Sequence, residues 1–103
     1  MYFIYILESL VDGSYYVGYT QNVEQRVFEH NNSLHPTFSS KLRPWKLKAA
    51  FELNGSAGEA MKAEKFIKQQ KSRAFIDKIC IMQIVKLPVA QLVRVPDRPA
   101  PED

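Results

Sequence analysis

Tyr2-Phe3-Ile4-Tyr5-Ile6-Leu7 opens the chain as an unbroken apolar run, mostly aromatic and β-branched. A run this short, with no polar residue to turn toward water, reads as a β-strand covered on both faces, and it is expected to be the central strand of its sheet. Beyond it, Val11-Asp12-Gly13-Ser14 holds an Asp-Gly pair that accepts the positive φ of a tight turn. Tyr15-Tyr16-Val17-Gly18-Tyr19 then reads as the strand returning antiparallel to the first. Gly18 costs stability inside a strand unless backbone or ligand must pass close, which points to a site beside the sheet. Asn22 can cap a helix from about Val23 to Asn32, with Val23 and Val27 on a buried face. Arg26 and His30 repeat that spacing on an adjoining face.

Asn32 to Pro44 shows little periodicity and reads as a loop projecting from the core. Trp45, Leu47, Ala49, Phe51 and Leu53 alternate with Lys46, Lys48, Ala50 and Glu52, the period-2 pattern of a third strand. Ser56 with Glu59 fits a capping box opening a helix to about Lys71, its inward face marked by Ala60, Ala63 and Ile67. Ser72 resembles the cap of a shorter helix through Phe75, Ile76 and Ile79. Pro88 and Pro96 punctuate a less regular end, and 96–103 is expected to be a mobile tail. The expected fold class is α/β in the α+β sense: a small, mainly antiparallel three-stranded sheet with the first strand central and helices around it. Residues 1–83 form the domain and 84–103 a C-terminal extension with a Pro-rich tail.

At 103 residues the chain can bury one core, and 46% hydrophobic with 24% charged residues excludes disordered and fibrous classes. No apolar run approaches the roughly 20 residues that span a bilayer, and the first ten residues carry Glu8 without a basic lead. The expected location is the cytoplasm, with no membrane partner. Cys80 is the single cysteine, so neither an intrachain disulfide nor a cysteine metal cluster can form, and core packing is its expected role. Charge is uneven: residues 1–40 carry Arg26 alone against four carboxylates, whereas 41–78 carry ten Lys or Arg against four, a phosphate-attracting balance.

Several residues carry chemical potential. Glu64 interrupts the inward face of the Ser56–Lys71 helix with a carboxylate that needs a partner, either a metal or a basic side chain at the edge of the core. Arg26 and His30 can approach one phosphate together, Arg as a bidentate charge and His as donor or proton carrier. Tyr5 and Tyr16, on opposed strands, can converge on one cleft. Taken singly, each has a plainer reading as a salt bridge, an exposed polar residue or packing.

Together, Phe3-Ile4-Tyr5, Tyr16-Val17-Gly18, Tyr19-Thr20, Arg26, Glu29-His30-Asn31 and Glu64 resemble the GIY-YIG nuclease superfamily over about residues 1–80. Within it the chain is most similar to the short, free-standing bacterial single-domain members. Phe3 stands where the first motif is named for glycine, and Phe75-Ile76-Asp77 stands where the family often has a late asparagine. The resemblance implies an endonuclease that hydrolyses DNA phosphodiesters, in repair, recombination or the processing of branched structures. Glu64 would hold one Mg²⁺ (or Mn²⁺) per active site. Arg26 would share the phosphate charge, Tyr5 by preference would take the proton of the attacking water with Tyr16 bonding water or phosphate, and His30 would contact phosphate or relay a proton. A phenol with an ordinary pKa near 10 needs cations nearby for that task.

Lys62, Lys65, Lys68, Lys71 and Arg73 recur at near-helical spacing behind Lys41, Arg43, Lys46 and Lys48, and are expected to contact the DNA backbone without reading sequence. No zinc-finger or helix-turn-helix motif is present, so target choice would rest on DNA structure or a recruiting protein. The alternative function is a catalytically inactive nucleic-acid-binding module with the same fold. A protein-interaction domain is a third class, with Val89 to Val95 as a docking strand or homodimer contact.

Overall fold

The opening apolar run forms β1 (Tyr2–Ser9) in the computed structural model, which describes residues 1–34 and 38–96. Ile4, Tyr5, Ile6 and Leu7 are each at most 1% exposed, so both faces of the strand are covered. The chain turns through Gly13 at φ +76°, with the Ser14 N–H donating to Asp12 Oδ1 at 2.9 Å. It returns as β2 (Tyr15–Thr20), antiparallel to β1, with Tyr5 opposite Gly18 and Leu7 opposite Tyr16. β3 (Trp45–Leu53) pairs with the other edge of β1 through a register shift between Ile6 and Leu7.

The sheet has five strands and not the expected three. Two short strands, β4 (Ile84–Lys86) and β5 (Gln91–Arg94), extend it in the order β2-β1-β3-β5-β4, with every pair antiparallel. The middle strand is therefore β3, and β1 is internal beside it. Each added strand buries a single residue, Val85 or Leu92, so neither offers enough alternation to be read from sequence. The Val89–Val95 stretch, a docking candidate on sequence, spends part of its backbone pairing with β3 and β4.

The three helices are α1 (Val23–Asn32), α2 (Ala57–Gln69) and α3 (Arg73–Cys80). Each is capped as the sequence indicates, by Asn22, Ser56 and Ser72, whose side chains accept from the N–H three residues on. Ala60, Ala63 and Ile67 of α2 and Ile79 and Cys80 of α3 pack on Ile4, Ile6, Val17, Ala49, Phe51 and Leu53 from the sheet. The small alanines let α2 lie close to β1 and β2. Cys80 is buried in this layer, and burial raises its thiol pKa. On the opposite face Tyr5, Leu7 and Trp45 form a second cluster, covered by Tyr16, Leu42 and the Val23 and Val27 side of α1.

The stretch read from sequence as a projecting loop is instead strapped down over its second half. A 3₁₀ turn spans Phe38–Leu42, and the segment after it is fixed to the end of β1. Ser9 Oγ donates to the Leu42 carbonyl at 2.7 Å and the Leu10 N–H to that of Pro44 at 3.0 Å. The tail expected to be mobile falls outside the described residues from position 97 on. No described helix is long and apolar enough to cross a membrane.

Candidate active site

Tyr5 and Tyr16 project from β1 and β2 toward the face that α1 covers. Their rings lie 6.3 Å apart between centroids and nearly parallel. Tyr5 reaches across β2 because Gly18 sits opposite it: a Cβ there would fall under 3.0 Å from the hydroxyl end of the Tyr5 ring. The glycine thus marks a close approach by a side chain of the site itself.

α1 brings in the next groups. Val23 and Val27 turn inward, which carries Arg26 and His30 to the edge of the sheet. His30 Nε2 lies 3.1 Å from Tyr5 Oη, and the imidazole centroid is 4.5 Å from that of Tyr16. Trp45 closes the cluster, 6.1 Å from Tyr16 and 6.5 Å from His30 between centroids. The Asn31 amide holds Trp45 at its backbone, Nδ2 donating to the carbonyl at 2.9 Å and Oδ1 accepting from the N–H at 2.6 Å.

Burial pushes Tyr5 well above the ordinary phenol range, with Tyr16 adding to the effect and Arg26 opposing it. Tyr5, the preferred proton acceptor on the resemblance, therefore sits where its phenolate is disfavoured. Burial also lowers the His30 pKa from 6.5, helped by the positive charges of Arg26 and Arg43 and opposed by Glu29, so His30 is neutral at pH 7.

Tyr16, Arg26 and His30 line a single cleft of about 590 Å³, bounded by the hairpin turn, α1 and the segment around Arg43 and Trp45. Tyr5 lies behind that wall. Glu64 is in an adjacent depression of about 310 Å³ on α2, with Lys65, Lys68 and Lys71. Lys68 joins the two: its ammonium is 2.5 Å from Glu64 Oε1 and 5.6 Å from the centroid of Tyr16.

A model of the GIY-YIG catalytic domain family matches residues 1–77. This chain belongs to the GIY-YIG family. It is 39% identical over 69 residues to a UPF0213 protein of Halobacterium salinarum, covering 67% of this chain and 87% of that protein. UPF0213 proteins of Bacillus licheniformis and Streptococcus pneumoniae are each 38% identical, over 66% and 67% of this chain and 68% of theirs. Membership places the chain among nuclease domains, in a branch of short proteins whose names state no activity.

The donor set bears on the cation such a GIY-YIG site would use. Among the described residues no group of three or more His, Cys, Asp or Glu side chains could enclose a metal. A lone carboxylate at 19% side-chain exposure, open to water, fits Mg²⁺, which keeps most of its waters and completes its shell with substrate phosphate. Lys68 would have to release Glu64.

The basic residues expected to bind DNA are not one surface. Lys65, Lys68 and Lys71 flank Glu64, and Lys62 is exposed on the same helix. Arg73 is engaged elsewhere: it stacks 3.9 Å over the Tyr15 ring, donates to the Gly13 carbonyl at 2.6 Å and lies 3.7 Å from Glu8. It latches α3 to the hairpin, as does Asp77, which accepts from the Tyr15 hydroxyl and helps push that phenol up to about 12. Lys46 and Lys48 line a different concavity that also takes Phe3, so the residue at the motif's missing glycine does not line the cleft. Sequence reasoning gave no individual role to Arg43 or Glu29, both of which line the cleft. Arg43 is brought there by tertiary bonds from Ser9, Leu10 and Asn31, for which no local pattern exists.

Proposed function

We propose that this chain is a metal-dependent endonuclease that hydrolyses DNA phosphodiester bonds, with one Mg²⁺ or Mn²⁺ held at Glu64. The observation that carries the reading is the meeting of Tyr16, Arg26 and His30 in one cleft, with Glu64 linked to Tyr16 through Lys68, in a GIY-YIG chain. Arg26 binds the scissile phosphate through its guanidinium and stabilises the charge that builds on it. Tyr16, the phenol on the cleft wall, holds the attacking water and takes its proton as its own phenolic proton passes to His30. His30 is neutral and lies against Tyr16, so its other ring nitrogen can accept that phenolic proton, while Tyr5 keeps its own proton and orients the imidazole through Nε2. When bound at Glu64, the cation would polarise a non-bridging phosphate oxygen.

The test is a nicking assay on supercoiled plasmid and on branched duplexes, with Mg²⁺, with Mn²⁺ and with chelator. Cleavage in the metal arms alone is expected, and preference for the branched duplex would support a role in repair or recombination. A second reading, a binding module without turnover, is favoured by the Lys68 ion pair that occupies Glu64. Salt-dependent DNA binding with no nicking in any arm would select it.

A further inference from the structure

We infer that Arg43 anchors a second phosphate subsite in the cleft, one that holds the phosphate adjoining the scissile one on the same strand. The inference rests on the nuclease reading and assigns to this residue a task separate from that of Arg26. Arg43 enters the cleft from the segment before β3, whereas Arg26 enters from α1, so the two guanidinium groups approach from different walls.

The backbone around Arg43 is fixed from three directions. Ser9 Oγ donates to the Leu42 carbonyl at 2.7 Å, the Leu10 N–H to the Pro44 carbonyl at 3.0 Å, and the Asn31 amide clamps Trp45 through both of its polar atoms. The side chain is fixed as well: Arg43 Nε donates to the His30 carbonyl at 2.5 Å. That bond uses one of the five guanidinium donors, leaving the terminal nitrogens for a bidentate acceptor. Phosphate is the acceptor that fits a cationic fork presented this way.

Two further observations point to an anion. Among the described residues, no carboxylate lies within ion-pair distance of Arg43 or Arg26, although Arg43 is half-buried and a partly desolvated charge is costly without a counter-charge. Arg26 and Arg43 line the same cleft as His30, so both cations border the same reacting region. A cleft of about 590 Å³ with a cation on each of two walls accommodates a nucleotide flanked by phosphates better than a lone phosphate. The exposed lysines of α2 add charge to the approach, but a pre-fixed arginine loses less freedom on binding and sets a position along the strand.

Trp45 is the single tryptophan and lines this cleft, which makes its fluorescence the reporter. Thymidine 5′-monophosphate and thymidine 3′,5′-bisphosphate are titrated into the full chain in chelator. In the wild type the bisphosphate should bind about tenfold more tightly, the worth of one added charge-assisted contact. Arg43→Ala should abolish that advantage while leaving the monophosphate Kd nearly unchanged, and Arg43→Lys should recover only part of it. Equal ratios in wild type and Arg43→Ala, or no advantage in the wild type, overturn the subsite. So does equal weakening of both probes, which would make Arg43 a strap residue only. Loss of the ratio in Arg43→Ala without nicking by the wild type would keep the subsite and remove the hydrolytic reading; nicking with an unchanged ratio would do the reverse.

Discussion

On one face of the sheet, Ile4, Ile6, Phe51 and Leu53 meet Ala60, Ala63 and Ile67 of α2 in a layer of aliphatic and small side chains. On the other, Tyr5, Leu7 and Trp45 meet Tyr16, Val23 and Val27, and polar groups of Tyr5, Asn31 and Ser9 bond through or beside the apolar packing. The helix over the first face buries three residues, whereas α1 over the second has no buried residue at all. Stability is thus concentrated where nothing polar has to be satisfied. The second face, more thinly covered, can present a phenol, an imidazole and two guanidinium groups to one cleft.

Substitutions on the two faces should accordingly separate activity from stability. The largest effect belongs to Tyr16→Phe: single-turnover cleavage should fall about 10²–10⁴-fold, the usual worth of a proton-transfer group, with little change in Tm. An unchanged rate would take Tyr16 out of the chemistry. In the aliphatic layer, Ile67→Ala should cost about 2–5 kcal/mol in urea unfolding while the folded fraction keeps its cleavage rate. Equal loss of both would mean that the faces are not separable. Gly18→Ala couples them, because the new Cβ meets the Tyr5 phenol; we expect about 1–3 kcal/mol of overpacking cost together with lost activity.

The smallest effect is on pH dependence. The folded chain holds the His30 proton more weakly than the unfolded chain, whose value is about 6.5. Stability from this group is therefore full above 6.5 and declines as pH falls toward the folded-state pKa. Tm measured between about pH 5 and 8 should show that decline, and His30→Gln should flatten it. A profile identical in the two proteins would contradict the burial assigned to His30.

The two faces were also unequally legible in the sequence. β1, β2, β3 and all three helices could be read because hydrophobic periodicity and Asn or Ser caps are local signals, and the family motifs fall on those elements. β4 and β5 could not, since three- and four-residue strands pair only once β3 exists to receive them. Among site residues, Arg26 and His30 line one cleft, as their helical spacing suggested, and Tyr16 joins them there without Tyr5, with which it was expected to converge. That Tyr5 lies behind the cleft wall was not legible, because its burial depends on Gly18, α1 and Trp45 together. Arg43 stayed hidden among nearby basic residues, since only the strap distinguishes it from Lys41 or Lys46.

Metal-dependent cleavage at Glu64 is decided by measuring Glu64→Ala twice: single-turnover cleavage of DNA with Mg²⁺, and DNA affinity at fixed salt. Cleavage should fall to the level seen with chelator while affinity stays within about threefold, because the Lys and Arg contacts remain. Cleavage at the wild-type rate would contradict a metal role for Glu64.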